Sequence, residues 1–483
     1  MQFNSYVFVL LFLPLVVILY QITNRIHHVA GKVLLVVASL VFYASSDVST
    51  FFIFGISIII NYLFALLVGK QLKWRKWFLA LPIIINVSLL FYFKYLNFTL
   101  SNISMLLGRV YYPRKLTLPL GISFFTFQQI AYLVASWRGE LKNNNVLDYL
   151  AYILYFPKVL MGPLTEPADF ISQLNNAELK RVNWENIVCG IKIFSFGLFK
   201  KMLLADTFSK AVSWGFSNIS DAGSLDWLIV TLCYTLEIYF DFSGYSDMAV
   251  GSSLMLNITL PINFDSPYKA LSIRDFWKRW HISLTKFLTK YIYIPLGGNR
   301  KGKQFTYLNT MIVFLISGIW HGAEWTFILW GILHGLLMVF DRVTEKQQEK
   351  ICRPVRWCVC FAAVNALWLL FRSYSVRQWG SIIRVILQFK NLSVSEGLLK
   401  TFEVPEVTLL HGVIPTLQNT GNVIPWICMM LFLMLSLVIC LLPENNYRRL
   451  HSNSASVMLL AGLAFVWSVI CLGSESVFVY FNF

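Results

Sequence analysis

Two histidines, His321 and His334, stand inside an otherwise apolar stretch, ISGIWHGAEWTFILWGILHG at residues 316–335. An ionisable side chain in hydrocarbon is costly, so a histidine at that depth points to function by default. Upstream, RDFWKRWHISLTKFLTKYIYIPLGGNR (274–300) carries His281 at the end of an aromatic cluster. Imidazole titrates near 6.5 and exchanges a proton close to neutral pH, which suits a general base or acid. His321, in a Trp-His-Gly turn between Trp320 and Trp325, is the candidate for that role. The plainer alternative is a neutral histidine satisfied by a hydrogen bond between helices. For His334, in the His-Gly pair that ends the stretch, packing or support of a site is at least as good a role as direct chemistry.

If residues 274–281 are helical, Arg274, Lys278 and His281 share one face and Trp277 and Trp280 another. Such a segment would lie along the membrane interface, aromatics at headgroup level and cations toward water. Lys278, Arg279, Arg300 and Lys301 would then suit an anionic, phosphate-bearing cofactor, and equally a lipid headgroup. In YFDFSGYSDMAVG (239–251), Asp241 and Asp247 are six residues apart and so fall on different helix faces. That spacing is poor for a carboxylate pair in acid–base work and better for orienting a histidine or a basic residue. FPKVLMGPL (156–164) is expected as a helix interrupted by Pro and Gly, in which Lys158 needs a partner or a cavity. The eight cysteines have neither zinc spacing nor a paired framework and behave as small hydrophobes, so no metal site and no catalytic thiol are expected.

These residues need elements to hold them. With 57% hydrophobic, 16% aromatic and only 13% charged residues over 483 positions, the composition is that of a polytopic membrane protein. About 20 apolar residues cross a hydrocarbon core. Candidate segments fall at 6–22, 33–46, 51–69, 77–93, 119–137, 147–164, 186–205, 226–240, 307–320, 325–340, 357–372, 424–443 and 455–473. The expected fold is all-α, about 11–13 transmembrane or re-entrant helices in a single membrane domain, 1–483. MQFNSYVFVLLFLPLVVILY lacks a basic n-region and a small-x-small site, and so is expected as a retained helix. The formal charge of +16 gathers between helices, the positive-inside pattern, with added attraction to anionic membrane lipids. No base-reading module accompanies it, so nucleic acid is not an expected partner.

The basic segments 25–32, 69–77 and 446–451 place the N-terminus and the stretch after residue 473 outside, with an even number of crossings. Residues 274–303 carry eight basic residues against one acid, and 341–356 is densely charged, so both flanks of 307–340 face the cytosol. A re-entrant helical hairpin fits, with His321 at its apex and Gly318 and Gly322 loosening the turn. The rival is one long helix, which would hold His321 and His334 about 20 Å apart. Residues 374–423, broken by Gly, Pro, Asn and Ser, form an extracytoplasmic loop region able to cap an opening or meet a partner.

PLGISFFTFQQIAYL (119–133), FPKVLMGPL, YFDFSGYSDMAVG, RDFWKRWHISL…YIPLGGNR and WHGAEWTFILWGILHG follow one another nearly end to end. In these motifs the chain resembles the membrane-bound O-acyltransferases, in the bacterial branch typified by the integral-membrane component of alginate O-acetylation. One departure is Ala135, where the family's Y-x-x-D-x-x-R-G pattern has an acid that would pair with Arg138. The resemblance implies a helix ring around a thinned, tunnelled centre, with His321 the catalytic histidine and His281 its companion. It implies an acyl thioester donor, acetyl-coenzyme A above all, used from the cytosol as substrate rather than as a bound cofactor. Trp280, Trp320, Trp325, His334, Lys278, Arg279 and Arg300 then join the substrate-binding set. The acceptor is expected to be an extracytoplasmic polysaccharide or cell-wall polymer, served through a Ser-His-Asp esterase-like (SGNH/GDSL-type) partner, from the cytoplasmic membrane of a bacterium. A transporter of polysaccharide or lipid-linked sugar with a histidine proton relay is the alternative.

The tail SVFVYFNF (476–483) has unusual alternating aromatics. Phe478, Phe481 and Phe483 either anchor it or insert it into the outer mouth, presenting Tyr480 to His321. A phenol with a free pKa near 10 is a weak nucleophile that an adjacent base can activate. A similar F-x-Y-x-x-F ending, in the family or on its small accessory peptides, implies an acyl relay through Tyr480.

Overall fold

The computed structural model describes residues 1–46, 48, 50–70, 73–404, 422–448, 450–452, 454–473 and 478. Among them every regular element is helical, and eight helices are long and apolar enough to cross a membrane. The described residues form two compact units, Met1–Leu198 with Tyr245–Ile262 and Leu450–Phe483, and Phe199–Gly244 with Asn263–Arg449.

In the first unit, α1 (Val7–Ile26), α2 (His28–Ser46), α3 (Phe51–Gly69) and α4 (Arg75–Leu106) are spans whose outer faces carry side chains such as Leu11 and Phe52. Helix α4 runs well past the expected 77–93, its middle widened into a π-helical turn at Phe91–Tyr95. Helix α5 (Ile122–Arg138) buries residues around its whole circumference, so it is a core helix rather than a lipid-facing one. Its Gln129 accepts from Ser57 (2.9 Å) and Asn61 (2.5 Å), and Asn61 exchanges bonds with Asn86, which ties α3, α4 and α5. Such side-chain bonds hold helices together where lipid gives no hydrophobic drive. The helix ends at Gly139 with φ +72°, where the Glu140 amide donates to the Ala135 carbonyl at 2.9 Å. With alanine at 135, Arg138 finds Glu140 instead, at 3.6 Å.

The interrupted helix expected over 147–164 is short. Helix α6 (Val146–Leu154) stops before Phe156, whose position ahead of Pro157 disfavours the helical region. The turn that follows buries Lys158 completely, its ammonium over the Tyr152 ring at 3.5 Å and donating to the Thr165 hydroxyl at 3.0 Å. Helices α7 (Pro167–Asn175) and α8 (Trp184–Phe199) complete this stretch. Near the end of the chain, Phe478 is fully buried, its ring 5.2 Å from Tyr245.

In the second unit, a π-helical turn, Lys200–Ala205, leads into α9 (Asp206–Ser217). Helix α10 (Ser224–Met255) supplies its residues up to Gly244 here. Lys201 reaches Asp241 at 2.8 Å and Asp206 at 2.9 Å. Asp241 therefore orients a basic residue, as its spacing from Asp247 suggested. Next come α11 (Ile273–Arg279), α12 (Ile282–Leu288), α13 (Lys303–His321), α14 (Trp325–Val343) and α15 (Arg353–Arg372). In the polar interval from 374, α16 (Val376–Gln388) and the short α17 (Glu396–Lys400) are described, whereas 405–421 lies outside the described residues. The span α18 (Val423–Leu441) closes the unit, and α19 (Ala455–Ile470) belongs to the first.

Candidate functional site

The region 303–343 is a helical hairpin rather than one long helix, with a three-residue turn between arms of 19 residues each. Gly318 does not loosen the turn. It sits in α13 opposite Gly331, where an added Cβ would lie 2.4 Å from the Phe327 carbonyl oxygen and 3.0 Å from the Gly331 Cα. The two backbones thus meet almost directly, and only paired glycines permit it. Gly322 is extended (φ −163°), so it stops α13 immediately after His321. His321 is consequently the last helical residue before the hairpin turn, and it is 5% exposed.

The single amphipathic helix expected over 274–281 is broken in two. Ser272 caps α11 by accepting from the Asp275 amide, and the helix ends at Arg279. Trp280 is extended, and His281 adopts φ +45°, ψ +51°, from which α12 starts anew. That left-handed conformation costs a non-glycine residue about 1–2 kcal/mol, and tertiary bonds hold it. Ile282 donates to the Asn263 carbonyl at 3.0 Å, and the Ser283 hydroxyl donates to the Asn263 side-chain oxygen at 2.6 Å. Trp277 and Trp280 are buried rather than at headgroup level, because both rings find aromatic partners inside the unit. His281 is 1% exposed, with its ring edge-on to Phe242 at 4.7 Å, and neither of its nitrogens has a hydrogen-bond partner among the described residues. A buried polar group left so costs stability and calls for a reason.

The three histidines are joined through tryptophans. Between ring centres, His281 lies 6.4 Å from Trp320, Trp320 4.9 Å from His321, His321 5.2 Å from Trp330 and Trp330 4.6 Å from His334. Phe371 of α15 closes on His321 at 5.3 Å. The Trp277 indole N–H donates to His334 Nδ1 at 3.2 Å, so the ring proton of a neutral His334 sits on Nε2. Trp330, which the sequence did not single out, packs against His321. Trp325 stands at the start of α14 and is 58% exposed.

Beside this ladder is a cavity of about 250 Å³ lined by Trp277, Phe314 and Ser317 together with Arg274, Lys278 and Arg342, of which Arg274 pairs with Glu345 at 2.9 Å. Of the expected cations, only Lys278 belongs to it. Arg279 is engaged with Asp275 at 2.8 Å and with the Asp265 carbonyl, while Arg300 is exposed on the loop before α13. Arg342 was missed, because a charge in 341–356 reads simply as cytosolic; its place on α14 one turn beyond Met338 was the available signal. Tyr480 lies outside the described residues.

Residues 46–376 match the family model of MBOAT, the membrane-bound O-acyltransferase family. The chain belongs to that family. It is 34% identical over its whole length to the peptidoglycan O-acetyltransferase of Helicobacter pylori, covering 97% of that protein. The probable alginate O-acetylase AlgI of Azotobacter vinelandii is 33% identical over 86% of the chain and 84% of its own length. The teichoic acid D-alanyltransferase of Bacillus subtilis is 28% identical over 52% of the chain and 66% of its own. The protein is thus a multi-pass membrane-bound O-acyltransferase, which sets aside the transporter alternative.

Proposed function

We propose that this membrane-bound O-acyltransferase takes an acetyl group from cytosolic acetyl-coenzyme A and delivers it to hydroxyls of a cell-envelope polysaccharide, from the cytoplasmic membrane of a bacterium. The names of its relatives, which act on peptidoglycan, alginate and teichoic acid, support an envelope polymer as acceptor. The observation that carries the reading is the position of one side chain: Trp277 walls the cationic cavity and bonds to His334, one ring from Trp330 and two from His321. In this reading the donor's phosphates meet Lys278 and Arg342, with Arg274 joining them by giving up its partner Glu345, and its thioester arm enters the apolar part. Phosphate–guanidinium pairs suit the cationic part, and the dry interior suits an acyl carbonyl.

At His321 the accepting hydroxyl gives its proton to the imidazole as its oxygen attacks the thioester carbonyl. The C–S bond then breaks, the thiolate takes that proton, and an ester and free coenzyme A remain. The water-poor aromatic surroundings limit hydrolysis of the thioester. His281 serves as the companion histidine, held by its kink rather than by a helix face. Tyr480 is the proposed first acceptor, its aryl ester being reactive enough to pass the acetyl group to the serine of an esterase-like partner outside. His334 acts on the cavity through its bond to Trp277, Trp320 packs between His281 and His321, and Trp280 packs behind them on Trp368; Arg279, Arg300 and Trp325 stand outside the cavity lining.

The purified protein given acetyl-coenzyme A and its envelope partner should release coenzyme A in step with polymer acetylation. Polymer acetylation with no thioester consumed would overturn the donor assignment. Tyr480→Phe keeps the ring and removes only the hydroxyl. Loss of polymer acetylation by an assembled, normally expressed variant is the expected result, and unchanged acetylation would reduce the tail to an anchor.

A further inference from the structure

Helix α16 has a surface that the acyl-transfer reading does not use. It begins after a three-residue connection, Ser373–Ser375, from the span α15, and the Trp379 indole N–H donates to the Ala366 carbonyl at 3.0 Å. Ala366 lies six residues inside α15, about 9 Å below its end at 1.5 Å per residue. Helix α16 is therefore held against the end of a membrane-crossing helix rather than out in water. One face is fixed inward by Ile382, 1% exposed.

The outward arc follows from the 3.6-residue period. Val376 and Leu387 form one edge, Arg377 and Arg384 the crest two turns apart, and Ser381 and Gln388 the opposite edge. The helix stops at Phe389 (φ +48°), and the turn is fastened by the Lys390 amide to the Ser224 hydroxyl at 2.9 Å and the Ser224 amide to the Lys390 carbonyl at 3.0 Å. A bulky aromatic in the left-handed region is a strained choice where glycine is usual. Here it leaves Phe389 64% exposed, beside Leu392 at 60% and Leu387 at 67%. Arg377, Arg384 and Lys390 are all exposed, and none pairs with a carboxylate among the described residues. Apolar edge, cationic crest and polar edge, in that order at the end of a span, is the arrangement of an interfacial helix.

We propose that α16 and the turn after it form a binding surface for anionic lipid headgroups. Val376, Leu387, Phe389 and Leu392 enter the acyl boundary, and Arg377, Arg384 and Lys390 engage lipid phosphates. Each surface cation adds about 1 kcal/mol of attraction to an anionic leaflet, about fivefold in affinity, so three provide a marked preference for phosphatidylglycerol over phosphatidylcholine.

The test uses the full-length protein in nanodiscs of phosphatidylcholine, with or without phosphatidylglycerol. A spin label at Leu387→Cys, in a Cys352→Ser/Cys358→Ser background, should be reached by oxygen far more readily than by a water-soluble nickel complex. Mass spectrometry of the annular lipid should show phosphatidylglycerol enriched on the protein. That enrichment should fall at least fivefold in Arg377→Gln/Arg384→Gln/Lys390→Gln and return in Arg377→Lys/Arg384→Lys. A water-exposed label, or one shielded only when an envelope partner protein is added, would overturn the proposal and assign the surface to a protein. Equal phosphatidylglycerol enrichment on the wild type and the triple variant would overturn it as well.

Discussion

Replacing His321 with alanine should leave a folded, membrane-inserted protein whose acyl transfer falls by at least about 10²–10⁴-fold, the usual cost of removing a positioned base. The substitution removes only the imidazole, and alanine is the best helix former, so the backbone bonds of α13 are kept. The helix crossing at Gly318 and Gly331 and the packing of Trp330 on Trp368 do not pass through the imidazole, so the hairpin should persist. The measurement is acyl groups on envelope polymer per mole of protein in the membrane. Near-wild-type acylation by a well-expressed His321→Ala variant would remove this histidine from the chemistry.

The second large effect concerns stability. The Lys201 side chain is 2% exposed and bridges Asp241, 1% exposed, to Asp206. Lys201→Met keeps most of the apolar stem and removes the charge, taking the shared ammonium away from both buried Asp241 and Asp206. Breaking such a pair from one side costs about 3–5 kcal/mol, so the variant should melt well below the wild type in detergent and lose its monodisperse population. The double variant Lys201→Met/Asp241→Asn should recover part of the loss, because the more deeply buried of the two carboxylate charges is gone. A single variant that melts like the wild type would show that solvent, not Lys201, neutralises Asp241.

The hairpin and the two histidine blocks were legible in the sequence because membrane physics makes them conspicuous. Ionisable residues are rare in apolar segments, and charged flanks on one side forbid a single crossing. The kink at His281 was not legible. Its sequence fits an amphipathic helix, and what breaks the helix is distant in the chain, the bonds from Ile282 and Ser283 to Asn263. Gly318 was misjudged for a related reason: a glycine near a turn suggests the turn, whereas its partner Gly331 becomes apparent only once the arms are antiparallel. Proline gave a truer local signal at 156–164, where it marked the break but not how much of the helix it would remove. Trp330 resembles any other aromatic in a span until α13 folds back and sets it on His321.

The tryptophan ladder has an optical consequence. Indoles at 4.8 Å (Trp280–Trp368), 5.7 Å (Trp277–Trp330) and 5.9 Å (Trp330–Trp368) couple their electronic transitions, and fixed tilts between them make the coupled bands chiral. Of the chain's 16 tryptophans, these closely spaced pairs add exciton-coupled bands to the circular dichroism, strongest in the intense far-ultraviolet indole transition. The region around the histidines therefore carries an intrinsic spectroscopic label. Because Trp277 is both a ladder rung and a cavity wall, a molecule entering that cavity would tilt the indole and change the signal, without any dye or engineered cysteine.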